Sequence, residues 1–203
     1  KLGWLNPMGA SGGGSVRDNV ETLAKLPLAA QPGTQFVYQV GYPALGLVLE
    51  AATGKPLEDF YQERIIKPLG MKDTSFYLLP GRMPQFSTCY RPSREGRAWK
   101  LAVQDKATDS EKANGPKTYF EPGGGGGGLL STVGDYARFA QCLLNGGELD
   151  GVRIIGRKSV EMMTSSHTAE GVNPPMSGAN FGFGIGVGVY KGGGLPRLRS
   201  VGT

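Results

Sequence analysis

Apolar side chains fall into periodic blocks along this chain, separated by glycine- and proline-rich breaks, and each block predicts one element. Over residues 16–26, Val16, Val20, Leu23 and Ala24 recur at the spacing of one helical face. Ser15 with Asp18 is a Ser-x-x-Asp form of the capping box, and Pro27 closes that helix. Pro32-Gly33-Thr34 is turn chemistry, and residues 35–39 alternate polar and apolar like a short extended segment. Residues 41–53 are apolar on nearly every side (Ala44, Leu45, Leu47, Val48, Leu49, Ala51, Ala52), which predicts a helix buried all round. Gly54 can close it in the left-handed conformation, and Pro56 suits the first position of the next helix. That helix carries Leu57, Phe60, Tyr61 and Ile65 as its stripe, with Glu63 four residues before Lys67 on the wetter side. Pro68 ends it.

Further on, residues 86–90 and 98–103 predict two short strands around a turn at Glu95-Gly96. Residues 104–117 are charged and weakly patterned, an exposed loop. Thr132 caps a helix with Asp135 at the capping-box position, and Val133, Tyr136, Ala137, Ala140, Leu143 and Leu144 form its expected buried stripe. The same wheel puts Cys142 on the opposite face. Asn145-Gly146-Gly147 stops this helix, and another is expected over residues 157–164. Residues 181–190 alternate apolar residues with glycine, the period of a strand with one face stripped for close packing. Gly192 to Gly194 then turns the chain toward a partner strand at residues 195–201. Helices in the middle and antiparallel strands at the end predict an α+β architecture.

Composition narrows the function classes. At 203 residues the chain can bury one sizeable core. The 34 glycines lie between strongly periodic segments, so the chain reads as globular with many turns. A net charge of +5 is modest and dispersed. The tightest basic group, Lys191, Arg197 and Arg199, reads as a solvated hairpin, and nothing points to nucleic acid. No apolar run approaches the ~18 residues of a membrane span. Cys89 and Cys142 lack metal spacing and read as free thiols, and one histidine with two cysteines makes a zinc site improbable.

Several motifs invite chemistry. The run Gly123 to Gly128 lacks the Gly-Lys-Ser/Thr ending and the preceding strand of a phosphate loop. Its glycines are better read as letting backbone turn tightly against a neighbouring surface. Gly9-Ala10-Ser11-Gly12-Gly13 fits Gly-x-Ser-x-Gly, and Ser11 precedes His167 as in an α/β-hydrolase. However, it has neither the buried strand before it nor the helix after it. His167 sits past a helix end, where an exposed or capping role is expected. Asp59 and Glu63 lie on a polar helix face as solvated charges. Tyr38 stands at the end of the extended turn, just before an apolar helix. Alone, that pattern fits a core tyrosine with a satisfied hydroxyl.

The segment Pro32 to Phe76, with GGGGLLSTVGDYARFAQCLLNGG from Gly125 to Gly147 and FGFGIGVGVY from Phe181 to Tyr190, resembles the serine-reactive family of class C β-lactamases, D-alanyl-D-alanine peptidases and family VIII carboxylesterases. The resemblance implies an α+β, β-lactamase/penicillin-binding-protein-like fold, mostly its helical region plus the first strands of the antiparallel sheet. Residues 1–203 would be part of one domain, with 1–180 mainly helical and 181–203 the start of the sheet. It implies that Tyr38, on the family's Tyr-x-Asn motif, shuttles a proton as general base and acid. It also implies that Gly126 and Gly127 edge the substrate cleft. Val40 stands where asparagine usually holds a substrate amide, which tilts the expectation from lactams and peptides toward small esters. No Ser-x-x-Lys occurs between Lys1 and Thr203, nor does the family's third motif, so these are expected on a segment or second chain outside these residues. No metal or organic cofactor is implied. The alternatives are a β-lactamase or D-alanyl-D-alanine peptidase, or a non-catalytic relative that keeps the cleft for binding.

Overall fold

The computed structural model describes residues 16–28, 30–37, 41–96, 98–105, 129–172, 174, 181–192 and 201–202. The chain enters through α1 (Val16–Ala24), which stops three residues short of Pro27, and reaches α2 (Gly41–Thr53). Residues 35–37 form no strand. Gly54 adopts a left-handed φ of 66°, and its amide closes the last turn of α2 on the Glu50 carbonyl at 2.8 Å. The expectation that α2 is buried all round is wrong. Only Pro43 and Gly46 are buried within it, because small residues form the line facing its neighbours α1 and α3; Leu45, Val48, Ala51 and Ala52 are exposed.

α3 (Leu57–Tyr61) is preceded by Pro56 as its cap, one position earlier than the sequence predicts. The chain then widens into a π-turn over Gln62–Ile66, with Lys67 N–H bonding the Gln62 carbonyl at 3.0 Å. That extra residue per turn moves the fully buried position from Ile65 to Ile66. It also leaves Glu63 paired with Lys55 rather than Lys67.

The first strand of the next hairpin starts later than its apolar pattern suggests: β1 (Cys89–Glu95) pairs antiparallel with β2 (Ala98–Asp105). Tyr90, Pro92 and Arg94 stand opposite Val103, Leu101 and Trp99, so these six share one face of the ribbon. The turn passes through Gly96 at φ 61°.

α4 (Val133–Leu144) is capped as expected, with Thr132 Oγ1 accepting from the Asp135 amide at 3.1 Å. Its buried face is the reverse of the one its apolar residues predict. Cys142 is 0% exposed and Asp135 is buried, whereas Val133 is 90% and Leu144 81% exposed, with Tyr136, Ala137 and Ala140 also outward. Long-range polar bonds set this orientation. Asp135 bonds the segment at residues 73–74, and Arg138 bonds the Leu69 carbonyl and reaches Asp150 Oδ2 at 2.6 Å. Cys142 then closes a core of Ile66, Leu69 and Met71, joined by Tyr61, Ile65, Phe139, Leu149 and Ile154. Leu149 belongs to a small hairpin, β3 (Glu148–Leu149) and β4 (Val152–Arg153), turned by Asp150 and Gly151 with φ of 52° and 78°. Positive φ at both central residues is what an Asp-Gly pair supplies, a signal the apolar periodicity does not carry.

α5 (Arg157–Met163) leads to the last sheet. Residues 181–190 form two strands rather than one: β5 (Phe181–Phe183) turns back into β6 (Gly188–Tyr190), and β7 (Val201–Gly202) pairs with β6 on its other side. Gly186, at φ 82°, allows the reversal, which the Gly184 amide closes on the Val187 carbonyl at 2.8 Å. The stripped face has the predicted purpose. A Cβ on Gly184 would lie 2.0 Å from the Met163 carbonyl oxygen, so the end of α5 sits directly on this strand. Among the described residues, no helix is long and apolar enough to cross a membrane.

Candidate functional site

Tyr38, Val40, Gly126 and Gly127 lie outside the described residues, as does Ser11. The site is therefore built from the residues that bracket them. Phe36, two positions before Tyr38, packs edge-on against Phe183 of β5, with ring centroids 5.1 Å apart and planes at 63°. Past the candidate tyrosine, Gly41 opens α2, and the Tyr42 hydroxyl comes within 3.8 Å of where a Cβ on Gly186 would stand. Both flanks of the tyrosine segment thus meet the β5–β6 hairpin. Turn chemistry at Pro32 to Thr34 delivers the chain there, with the Thr34 amide and hydroxyl both bonding the Gln31 carbonyl.

The glycine run ends at a second anchored point. Leu130 forms a two-way backbone bridge with Ser75, at 3.1 and 2.8 Å. Ser131 Oγ and Thr74 Oγ1 lie 2.8 Å apart, and Thr74 Oγ1 also donates to Asp135 Oδ2 at 2.8 Å. The same carboxylate oxygen accepts the Asp73 amide at 2.8 Å. Asp73 Oδ1 faces Arg82 Nη2 at 2.6 Å, a contact of charge without an aligned hydrogen bond. Beside this network runs a shallow, open groove lined by Tyr77, Leu79, Phe86 and Leu130 with the Asp73–Arg82 pair. The apolar pattern gives no hint of this network; the one legible signal was Asp135 at its capping position.

Thr74 has the Asp135 carboxylate beside its hydroxyl, but both are buried within the network. Ser75 is buried, and its hydroxyl is committed to the Tyr77 carbonyl. His167 does what its position after a helix predicts: Nε2 contacts the Met162 carbonyl at 2.8 Å, and its amide donates to the Phe183 carbonyl at 2.8 Å. Both cysteines are free, Cys89 exposed and Cys142 buried, and burial pushes the Cys142 thiol above its ordinary pKa. Burial likewise raises Tyr61, whereas hydrogen bonding from Lys55 lowers Glu63. Neither group lies near the Tyr38 segment in sequence.

The arrangement of helices around separate antiparallel sheets matches that of several solved structures. The chain superposes on EstCE1, described as a hydrolase with promiscuous acyltransferase activity, with a TM-score of 0.64 and 22% identity, covering 89% of this chain and 47% of that one. It superposes on the octameric penicillin-binding protein homologue from Pyrococcus abyssi with a TM-score of 0.61 and 23% identity, covering 87% and 35%. The fold is therefore the β-lactamase/penicillin-binding-protein-like one. Residues 3–202 match the family model described as Beta-lactamase, and the chain belongs to that family. An uncharacterized Mycobacterium tuberculosis protein is 35% identical over 170 residues, 82% of this chain and 40% of its own length. The N-acetylmuramyl-L-alanine amidase of Bacillus subtilis is 31% identical over 153 residues, 72% of this chain and 34% of its own length. The chain thus spans about 40% of the length of the first of these relatives.

Proposed function

We propose that the protein carrying these residues is a serine hydrolase, a carboxylesterase that cleaves small acyl esters through an acyl-serine intermediate. Residues 1–203 contribute part of a single domain, mainly helical with loops and short strands over 1–180 and entering its sheet at 181–203. In this mechanism a serine of a Ser-x-x-Lys motif, outside residues 1–203, attacks the ester carbonyl. Tyr38 accepts the serine proton and passes it to the leaving alkoxide, and water then releases the acid by the reverse transfer. A free phenol, with a pKa near 10, needs a neighbouring cation for this work, and the lysine of that motif supplies it. Val40, Gly126 and Gly127 line the cleft, and no cofactor enters the reaction.

The observation that carries the proposal is the placement of Tyr38 in PGTQFVYQV within a family match spanning residues 3–202. The packing of Phe36 on Phe183 supports it, since a proton shuttle needs a held geometry. Valine at position 40 favours esters, because an apolar side chain there cannot bond a substrate amide. A substrate panel on the complete polypeptide tests this: nitrophenyl acetate and butyrate, a chromogenic lactam and a D-alanyl-D-alanine peptide. The expected result is a kcat/KM for the short esters at least about tenfold above the others, with Val40→Asn narrowing the gap. Preferred turnover of lactam or peptide would support the second reading, a β-lactamase or peptidase, which the family's name and the amidase relative favour. Binding without any turnover would leave a non-catalytic relative.

A further inference from the structure

The β1–β2 ribbon presents an apolar face that nothing in the described structure covers. Tyr90, Pro92, Leu101, Val103 and Trp99 share that face with Arg94, and all six are exposed, Trp99 at 69% and Leu101 at 74%. The two strands pack on each other, and no other described element packs extensively against them. We propose that this face is an interfacial anchor by which the protein rests on an anionic lipid surface.

Three observations select that occupant. The first is side-chain chemistry. Trp and Tyr combine an apolar body with a polar tip, which suits the headgroup level of a bilayer, and Leu101 and Val103 add area that gains by leaving water. The second is charge. Residues 89–105 hold Arg91, Arg94, Arg97 and Lys100 against Glu95 and Asp105, within a chain of net charge +5. Lys100, paired with Glu95, and Arg91 lie on the opposite side of the ribbon, while Arg94 stands exposed within the apolar face itself. Cations at that place draw the ribbon to acidic headgroups. The third is size. A paired ribbon of this length presents roughly 250 Å² on one face, well below the ~800 Å² per partner of a stable protein interface. A lipid surface demands no such complementary patch. The ribbon lies at the interface and does not cross it, since its open edges leave backbone groups that hydrocarbon cannot satisfy.

Co-sedimentation of the complete polypeptide with vesicles tests the anchor, and reads binding without turnover, so it succeeds or fails independently of the esterase proposal. Vesicles of phosphatidylcholine with about 30 mol % phosphatidylglycerol are compared with phosphatidylcholine alone. The anchor predicts binding to the anionic vesicles, weakened by salt, with a blue shift of Trp99 emission that a Trp99→Phe control removes. Trp99→Ser with Leu101→Ser should weaken binding at least about tenfold, and Arg91→Ser with Arg94→Ser should abolish the preference for anionic lipid. Because these side chains are exposed, thermal unfolding should stay unchanged and confirm that the variants fold. No sedimentation, or equal sedimentation by the Trp99/Leu101 variant, overturns the proposal. So does a Trp99 already shielded from acrylamide without vesicles, which would show protein, a second copy or another segment, covering the face.

Discussion

Asp135 and Thr74 are 61 residues apart in sequence, yet the carboxylate in the first turn of α4 accepts the threonine hydroxyl at 2.8 Å. The same oxygen takes the Asp73 amide, and Thr74 in turn meets Ser131. This contact decides which way α4 faces and pins the chain where it leaves the glycine run. Removing the carboxylate strands a buried hydroxyl and a backbone N–H together. Asp135→Ala should therefore cost about 2–4 kcal/mol in denaturant unfolding, whereas Thr74→Ser, which keeps the hydroxyl, should cost under about 1.5 kcal/mol. Equal losses would show that the network contributes little.

Gly182 in β5 and Gly184 just after it make an ordered prediction. A Cβ at Gly184 meets the Met163 carbonyl oxygen at 2.0 Å and the Ser165 carbonyl oxygen at 3.0 Å, both backbone. At Gly182 the obstacles are the Ser166 side chain and the Lys191 Cε, of which the lysine can swing away. Gly184→Ala should destabilise by more than about 3 kcal/mol, and Gly182→Ala by clearly less. Thermal melts of the two variants decide it, and the reverse order would mean that the α5 end does not rest on this strand.

The two thiols should behave oppositely. Cys89 is exposed and Cys142 buried, so a thiol reagent followed by peptide mapping should label Cys89 within minutes and Cys142 only on unfolding.

Burial also raises the Cys142 pKa, so the folded state holds that proton more tightly than the unfolded one. Its contribution to stability is intact below the ordinary thiol value, near pH 8.5, and is lost as pH rises above it. Cys142→Ala should lower Tm at neutral pH through the lost packing. The gap to the wild type should then narrow above about pH 9. A gap constant with pH would contradict the assigned cause.

Where helices start and stop was legible in the sequence, because caps are local chemistry. Thr132 with Asp135, and Gly54 in its left-handed conformation, act as their residue types dictate. Which face turns inward was not. A wheel for α4 sees Val133, Tyr136 and Leu144, but cannot see that Asp135 and Arg138 have partners at residues 69–74 and 150. Counting at 3.6 residues per turn likewise misses the π-turn that buries Ile66. Alternating glycine fits a long strand and a tight hairpin equally well until Gly186 shows its positive φ. Of the candidate site, Tyr38 was visible only through the resemblance of its surrounding motif. The Asp135–Thr74–Ser131 network depends on contacts between distant segments that no local pattern encodes.

The central claim is that Tyr38 moves the proton, and one substitution tests it most directly. In the complete polypeptide, steady-state hydrolysis of a short nitrophenyl ester is compared between wild type and Tyr38→Phe, which removes only the hydroxyl. The account predicts a fall in kcat of about 100-fold or more, with KM little changed and the folded state intact. Turnover within a few-fold of wild type would contradict it.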